Sequence, residues 1–302
     1  MMAPDFSVLI AWSNRDELGE TLRKNHAWFA NHSLEVVVVN CGGSASSLRR
    51  LVQGADLPYV RQIEIPGVTF NKSLALNIGV YKSRAPLLLT VDADIIFQSD
   101  FLQESLSHLE KNAFVTLRTF TESARPGVGK MGVQSAAQSK VTLKELSRID
   151  ELEIRWTDDT TTHTHISRAD LMQGTKAGPG ILIAKKEHFL GINGYNSEMR
   201  FWGWEDVDVL FRLQRVFGLD RCECGSAIHL THDDSSRAVK GDTRAGTNLD
   251  NFLLAWSRYA RGNFAGTYKE DVAKWADLVA EVGPPHLETA ERCPAGARVA
   301  GR

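Results

Sequence analysis

Short apolar runs alternate with amphipathic stretches along the first part of the chain. Four runs have the length and composition of buried strands, at residues 7–12, 34–39, 59–65 and 87–91. Three stretches between them predict helices, at residues 15–30, 44–53 and 71–83. Strands that alternate with helices predict an α/β fold, with a mainly parallel sheet covered on both faces. Ligands of such sheets bind beyond the carboxyl ends of the strands.

The pattern is less regular after the fourth predicted strand. The polar stretch 119–175 predicts long loops and a helix around residues 143–154, and its position at the binding edge favours a functional insertion. Further strands are expected at residues 181–184 and 224–228, and further helices at residues 206–217 and 249–259. From residue 283 onward, proline, glycine and alanine predict a weakly ordered tail.

Composition and charge exclude several classes of protein. The 302 residues are 43% hydrophobic and 24% charged, which is ordinary for one large globular domain or two small ones. A net charge of -2 gives no reason to expect a nucleic-acid partner. No apolar run approaches the ~20 residues of a membrane helix, and no secretory signal is visible, so we expect a cytoplasmic protein without an integral membrane segment. The 4 cysteines are too irregular for a disulfide framework, and reduced thiols are favoured over a half metal site at Cys222 and Cys224.

A pair of carboxylates follows the fourth predicted strand. Asp92 and Asp94 stand two residues apart, a spacing that lets both side chains converge on a hard cation at a strand end. Such a cation would neutralise the phosphates of a nucleotide donor and stabilise a diphosphate leaving group. Taken alone, the pair fits a strand-terminating turn with solvated acids equally well.

Two imidazoles follow the predicted strand at residues 224–228. His229 and His232 are three residues apart, and neutral imidazole suits a transition metal such as manganese in a mixed nitrogen and oxygen site. Either histidine alone would be interpreted as a structural or surface residue. The carboxylate pair elsewhere in the chain makes the ligand interpretation the better one for at least one of them.

A second acidic cluster lies at the predicted start of a helix. Glu205 and Asp206 stand where the helix dipole favours a charged carboxylate, and Trp202 and Trp204 lie beside them. Aromatic faces next to carboxylates suit a sugar, whose carbon-hydrogen faces stack while its hydroxyls bond to the acids. One acid could accept the proton of an attacking hydroxyl. The alternative is a helix cap with core tryptophans, and Asp208 is better explained as a helix-surface or structural acid.

Two basic residues stand at the binding edge. Lys72 opens a predicted helix and could pair with a phosphate there, and Arg15 follows the first predicted strand. Each would alone be an ordinary surface charge. The polar run 233–237 fits a mobile loop over a donor or a plain solvated loop.

These motifs, in this order, resemble the GT-A fold glycosyltransferases of the broad family-2 type. The second half is similar to the carboxyl-terminal domain of the β-1,4-galactosyltransferases, and the resemblance covers residues 6–255. Six segments carry it: Ser13-Asn14-Arg15 for RNR, Phe70-Asn71-Lys72 for FNR, Leu76-Asn77-Ile78-Gly79 for LNVG, Asp92-Ala93-Asp94 for DxD, Gly191-Ile192-Asn193-Gly194-Tyr195 for INGF, and Trp202-Gly203-Trp204-Glu205-Asp206 for WGWGGEDDD. The segments depart from the family where Ser13 and Lys72 replace arginines and where two glycines before the acidic pair are missing.

The resemblance implies a role for each candidate residue. Asp94, His229 and His232 would bind Mn²⁺, with Mg²⁺ as an alternative because histidine replaces the family's methionine ligand. Asp206 would be the catalytic base, and Glu205 a second catalytic-site acid. The acceptor would contact Trp202, Trp204 and Glu205. The nucleotide sugar would contact Arg15, Asn40, Phe70, Lys72, Asp92, Ala93, Asp94, Gly180 and Trp202.

The implied activity is metal-dependent transfer of a hexose from a nucleotide sugar, expected to be a UDP-hexose, to a hydroxyl of a glycan, peptide or small aglycone. Inversion is the expected outcome, and retention stays open because retaining enzymes share the metal motif. The GT-A domain is expected over residues 1–264, with a donor half to residue 118 and an acceptor and metal half after it, followed by a helix and tail over 265–302. Two alternatives remain, a non-catalytic sugar-binding module and a metal-dependent nucleotidyltransferase, although the latter usually has a glycine-rich phosphate loop that residues 11–17 do not form.

Overall fold

A computed structural model describes residues 4–124, 147–170, 174–201, 203–232 and 244–282. The strands are β1 (Phe6–Trp12), β2 (Leu34–Cys41), β3 (Val60–Ile65), β4 (Leu87–Thr90), β5 (Ile95–Phe97), β6 (Ala113–Glu122), β7 (Ser147–Arg155), β8 (Thr161–Asp170), β9 (Thr175–Lys185), β10 (Asp220–His229) and β11 (Ala280–Val282). The helices are α1 (Glu17–Phe29), α2 (Ala45–Ala55), α3 (Lys72–Lys82), α4 (Phe101–Leu109), α5 (Lys186–Gly191), α6 (Glu205–Phe217), α7 (Arg244–Tyr259) and α8 (Tyr268–Trp275).

One sheet organises the described part of the chain. Its order is β11-β3-β2-β1-β4-β9-β6-β10-β5, and the hairpin β7–β8 joins it through β9. Strands β3, β2, β1 and β4 run parallel, as do β6 and β10. Strand β9 runs antiparallel between β4 and β6 and so connects the two parallel groups. The predicted α/β class with a mainly parallel sheet is confirmed.

Two apolar layers cover the sheet because neighbouring residues of a strand point to opposite faces. On one face, Val8 and Ile10 pack with Leu18 and Leu22 of α1. On the other, Leu9 packs with residues of α3 and α6. Strands buried on both faces are apolar without interruption, which is why β1 and β2 are continuous hydrophobic runs in the sequence.

The helix predicted around residues 143–154 is wrong where the structure describes it, and so is the long loop expected over residues 161–170, which form strand β8. Residues 147–155 form strand β7, which pairs antiparallel with β8. Side-chain exposure alternates along it: Leu152 and Ile154 are at least partly buried, whereas Glu151 and Glu153 are exposed. This is the two-residue period of a strand, and it takes precedence over the helix propensity of glutamate and leucine. Residues 143–146 lie outside the described residues.

The carboxyl-terminal part of the described chain contacts the sheet and its helices. Helix α8 packs on α3, and β11 pairs antiparallel with β3. Arg61 of β3 donates to both carboxylate oxygens of Glu281, at 2.6 and 2.8 Å. The tail predicted from residue 283 lies outside the described residues. Among the helices that are described, none has the length and apolar character needed to cross a membrane.

Candidate active site

The turn that carries Asp92 and Asp94 is fixed by helix α1. It connects β4 to β5 at the carboxyl end of the parallel strands. The hydroxyl of Thr21 donates to the carbonyl of Ala93 at 2.9 Å, and the carboxamide of Asn25 donates to the carbonyl of Ile95 at 2.7 Å. Both α1 side chains are fully buried. The backbone of the turn is therefore held from below while its carboxylates remain at the edge of the sheet.

Asp94 meets both candidate histidines. Its Oδ2 lies 3.0 Å from Nε2 of His232 and 3.5 Å from Nε2 of His229. Sheet pairing explains the proximity: His229 ends β10 directly opposite Ile95 of β5, the residue after Asp94. The amide of Leu230 also donates to the carbonyl of Asp94 at 2.8 Å. Strand register thus brings together residues that are more than a hundred positions apart in the sequence.

Glu122 orients one of these histidines, and sequence analysis missed it. It ends β6 in register with His229, and its Oε2 lies 2.8 Å from Nδ1 of His229. Burial lowers the pKa of His229, but bonding to Asp94 and Glu122 and their negative charge outweigh it and raise the pKa. The apolar run at residues 113–117 could have indicated the strand. Only its pairing with β10 reveals that Glu122 contacts the histidine.

The three ligand candidates fit a divalent transition metal. One carboxylate oxygen and two imidazole nitrogens, from Asp94, His229 and His232, lie within 4.8 Å of one another. All three side chains are largely buried, and mixed nitrogen and oxygen donors suit ions such as Mn²⁺. The contact from Glu122 to the second ring nitrogen of His229 is the usual outer partner of a metal-binding imidazole.

A second cluster surrounds the ammonium of Lys72. Its Nζ lies 2.9 Å from Oδ1 of Asp92, 2.9 Å from Oδ2 of Asp206 and 3.7 Å from Oε1 of Glu205. Lys72 is the first residue of α3, capped by Asn71, and the two acids open α6. The amino ends of two helices therefore meet over the Asp92 turn. Sequence analysis expected a phosphate partner for Lys72 and did not foresee its three carboxylate neighbours.

Burial makes this cluster electrostatically unusual. Burial and the neighbouring charge of Asp206 raise the pKa of Glu205 to about 7. Burial also raises the pKa of Asp206, although Lys72 opposes the shift. Burial lowers the pKa of Lys72, but the charges of Asp206, Asp92 and Glu205 outweigh it, so the pKa is raised well above its ordinary value. Within the described residues, Oε2 of Glu205 and Oδ1 of Asp206 are buried and accept no hydrogen bond.

Gly180 leaves the space that Asp206 occupies. A Cβ at position 180 would lie 2.5 Å from Oδ2 of Asp206 and 3.2 Å from Nζ of Lys72. The carbonyl of Gly180 accepts from the hydroxyl of Thr90 at 3.0 Å, which fixes the glycine against β4. The candidate donor contact at Gly180 therefore borders the acidic cluster directly.

The other expected donor residues lie at the ends of the first strands. Asn40 is buried, and its carboxamide bonds to Gly43 and, at 2.6 Å, to Glu64, so it shapes the turn after β2. Phe70 is 39% exposed. Arg15 follows β1, and its carbonyl accepts from the indole of Trp12 at 2.8 Å. The donor contacts expected for these residues stay predictions.

The two tryptophans differ in what the structure describes. Trp204 is largely buried, and its ring packs edge-on against Phe252 of α7 at a centroid distance of 4.7 Å. Trp202 lies outside the described residues, as does the run 233–237. The acceptor role expected for Trp204 stays a prediction.

Asp208 has the structural role that the sequence favours. Its carboxylate lies 2.7 Å from Arg212 in a fully buried ion pair, and it accepts from the hydroxyl of Tyr259 at 2.7 Å. Arg212 also donates to the carbonyls of Ile192 and Gly194. Asp208 therefore joins α6 to α7, and its partner Arg212 joins α6 to the turn after α5.

Residues 165–233 match the family described as "N-terminal domain of galactosyltransferase". That segment includes Gly180, Glu205, Asp206, His229 and His232. The solved structures that resemble the chain include S. aureus TarS 1-349, at 12% identity and a TM-score of 0.46, over 86% of this chain and 73% of that chain. No curated protein matches.

The chain has an α/β fold with a mainly parallel sheet, and its residues 165–233 are similar to the galactosyltransferase family. The sheet, with its parallel strands and antiparallel β9, provides the architecture, and the galactosyltransferase segment contains both acids and both histidines. The family match also supports glycosyl transfer in general. The proposals below for the sugar, acceptor, metal and stereochemistry are based on the residues of the site.

Proposed function

We propose that this chain is a metal-dependent glycosyltransferase that moves a hexose from a UDP-hexose to a hydroxyl acceptor with inversion. One observation carries the proposal. Two residues of a single turn reach two different clusters: Asp92 lies 2.9 Å from Lys72 of the acidic cluster, and Asp94 lies 3.0 Å from His232 of the histidine cluster. A nucleotide sugar bound over this turn would have its diphosphate near the histidines and its sugar near the acids.

The histidine cluster is the expected metal site. Asp94, His232 and His229 would hold Mn²⁺ or Mg²⁺, with Glu122 fixing the ring of His229. When bound, the ion supplies positive charge that stabilises a diphosphate leaving group. The donor set, rather than the resemblance alone, supports this assignment.

The acidic cluster supplies the expected base. Asp206 would accept the proton of the acceptor hydroxyl while that oxygen attacks the anomeric carbon. The bond between this carbon and the diphosphate oxygen would break on the opposite side, and UDP would leave with the bonding electrons. A single displacement of this kind inverts the configuration at the anomeric carbon.

Lys72 would couple the basicity of Asp206 to the binding of the donor. It neutralises Asp206 in the structure, and a carboxylate bonded to an ammonium is a weaker base than a free one. A diphosphate would compete for the same ammonium, as expected for the lysine that opens α3. Glu205, with a pKa raised to about 7, would then bond to an acceptor hydroxyl beside Asp206.

The decisive experiment measures thermal stability with UDP, GDP or dTDP, each with Mn²⁺, Mg²⁺ or a chelator. A ligand that binds only the folded chain raises its melting temperature by mass action. We expect a shift with UDP that requires metal and disappears in Asp94→Ala. Hexose transfer is then assayed with UDP-sugars and a set of hydroxyl acceptors.

Each outcome has a clear meaning. Absence of a shift with every nucleotide would remove the donor site from the proposal. Metal-dependent UDP binding without transfer to any acceptor would favour the non-catalytic binding module. Release of diphosphate from a nucleoside triphosphate, in place of sugar transfer, would favour the nucleotidyltransferase.

A further inference from the structure

The backbone that leads into the acidic pair is conformationally strained at two positions. Phe201 has φ +66° and Trp204 has φ +71°, both in the left-handed region that non-glycine residues rarely adopt. Trp204 is also the amino-terminal cap of α6, a position that normally has extended backbone. Each such residue costs on the order of 1–3 kcal/mol and persists only when its surroundings hold it.

A single side chain of α7 holds the residue that precedes each strained position, Arg200 before Phe201 and Gly203 before Trp204. The carboxamide of Asn251 donates to the carbonyl of Gly203 at 2.8 Å and to the carbonyl of Arg200 at 3.1 Å. Its Oδ1 accepts from the amide of Arg200 at 3.3 Å. Asn251 is only 6% exposed, so solvent competes little for these three bonds.

Neighbouring residues of α7 close the segment from the same side. A Cβ at Gly203 would lie 2.5 Å from Oδ1 of Asn248, and the ring of Phe252 packs against Trp204. The segment is thus confined between α7 and the start of α6. Its position decides where Glu205 and Asp206 begin their helix.

We propose that Asn251 is a positioning residue of the acceptor side of the active site. Its carboxamide holds residues 200 and 203, so that Phe201 and Trp204 keep their left-handed conformation. Asp206 consequently enters α6 facing Lys72. The expected effect on turnover rests on the proposed function. Asn251 lies outside the segment that matches the galactosyltransferase family, which ends at residue 233.

The strain itself provides the test. Asn251→Ala removes all three bonds, whereas glycine at position 201 adopts a positive φ at little cost. We therefore compare Asn251→Ala, Phe201→Gly and the double variant with the wild type. Ser257→Ala, which removes only a bond to the carbonyl of Leu254 within the same helix, is the matched control.

Three readouts separate positioning from general destabilisation. In Asn251→Ala, amide hydrogen exchange over residues 200–208 is expected to rise about tenfold or more, with β1 and β2 unchanged. Affinity for UDP with Mn²⁺ is expected to stay within about twofold, because Asp92 and Asp94 lie on a separate turn held by α1. The kcat of sugar transfer is expected to fall about tenfold or more.

The double variant decides the proposal. Phe201→Gly should restore part of the lost kcat and of the exchange protection in the Asn251→Ala background, and have little effect alone. Absence of any restoration, or faster exchange spread equally over β1 and β2, would overturn the proposal. If the wild type transfers no sugar at all, the proposed function fails, while hydrogen exchange still reports whether Asn251 holds the segment.

Discussion

The ammonium of Lys72 lies 2.9 Å from the carboxylate of Asp206, although the two residues are 134 positions apart in the chain. The contact joins the first turn of α3 to the first turn of α6, and Asp92 bonds to the same ammonium from the turn after β4. Three elements that carry separate sequence motifs therefore meet at one nitrogen. This convergence is the strongest structural reason to treat the motifs as parts of one site.

Removal of the proposed base should abolish transfer without removing the donor site. Asp206→Asn keeps the size of the side chain but cannot accept the hydroxyl proton, so kcat is expected to fall about 10²–10⁴-fold. The melting-temperature shift with UDP and Mn²⁺ should remain, because the histidine cluster is untouched. Glu205→Gln leaves Asp206 in place and keeps a side chain of the same size that can still form hydrogen bonds, so it should reduce transfer less. Full activity of Asp206→Asn would rule out Asp206 as the base.

Space beside Asp206 can be tested with one methyl group. Gly180→Ala places a Cβ 2.5 Å from Oδ2 of Asp206, so that carboxylate must move. Because a displacement of about 1 Å can cost on the order of 10²-fold in rate, a large loss of transfer is expected. Gly54→Ala in α2 is the control, since nothing lies within 4 Å of its added Cβ. Equal activities of the two variants would show that position 180 does not set the site geometry.

The raised pKa of Glu205 predicts how stability depends on pH. Burial and the charge of Asp206 raise this pKa from 4.5 to about 7, so across that window the folded chain keeps a proton that the unfolded chain has released. Stability must then fall as pH rises from about 4.5 to about 7, and Glu205→Gln removes this contribution. Urea unfolding with chelator, at about pH 5 and about pH 8, should show the variant gaining stability relative to wild type at the higher pH.

Glu20→Gln is the matched control for this measurement, because Glu20 is an exposed acid on α1. Its difference from wild type should be the same at both pH values. A Glu205→Gln difference that is also independent of pH would show that the carboxyl is ionised in the fold at both values.

Sequence patterns predict the sheet well because its physics is local. The alternation of Val8, Leu9 and Ile10 between two buried faces produces an uninterrupted apolar run, and such runs identify β1, β2 and β4 directly. The same patterns gave a wrong prediction at β7, because the glutamates on the exposed face of this hairpin are residues that favour helices. The candidate ligands can be selected from the sequence because carboxylate and imidazole chemistry is specific to few residue types.

The supporting residues could not be predicted, because their roles depend on pairing over long distances. Nothing in the sequence distinguishes Glu122 from other acids, because its contact with His229 depends on the pairing of β6 with β10. Asn251 likewise resembles any polar helix residue in the sequence, because its role depends on the packing of α7 against Gly203. The left-handed conformation of Trp204 is visible only in the structure.

The partner of His229 offers a test of the metal site that leaves every proposed ligand in place. Glu122→Gln keeps the size of the side chain but loses the negative charge that orients the imidazole through Nδ1 at 2.8 Å. Outer partners of this kind are typically worth 10–100-fold in metal affinity, so Mn²⁺ binding measured by titration calorimetry should weaken by about that factor. Glu110→Gln, an exposed acid after α4, should bind Mn²⁺ as the wild type does. Unchanged affinity in Glu122→Gln would mean that the charge of Glu122 does not contribute to metal binding through His229.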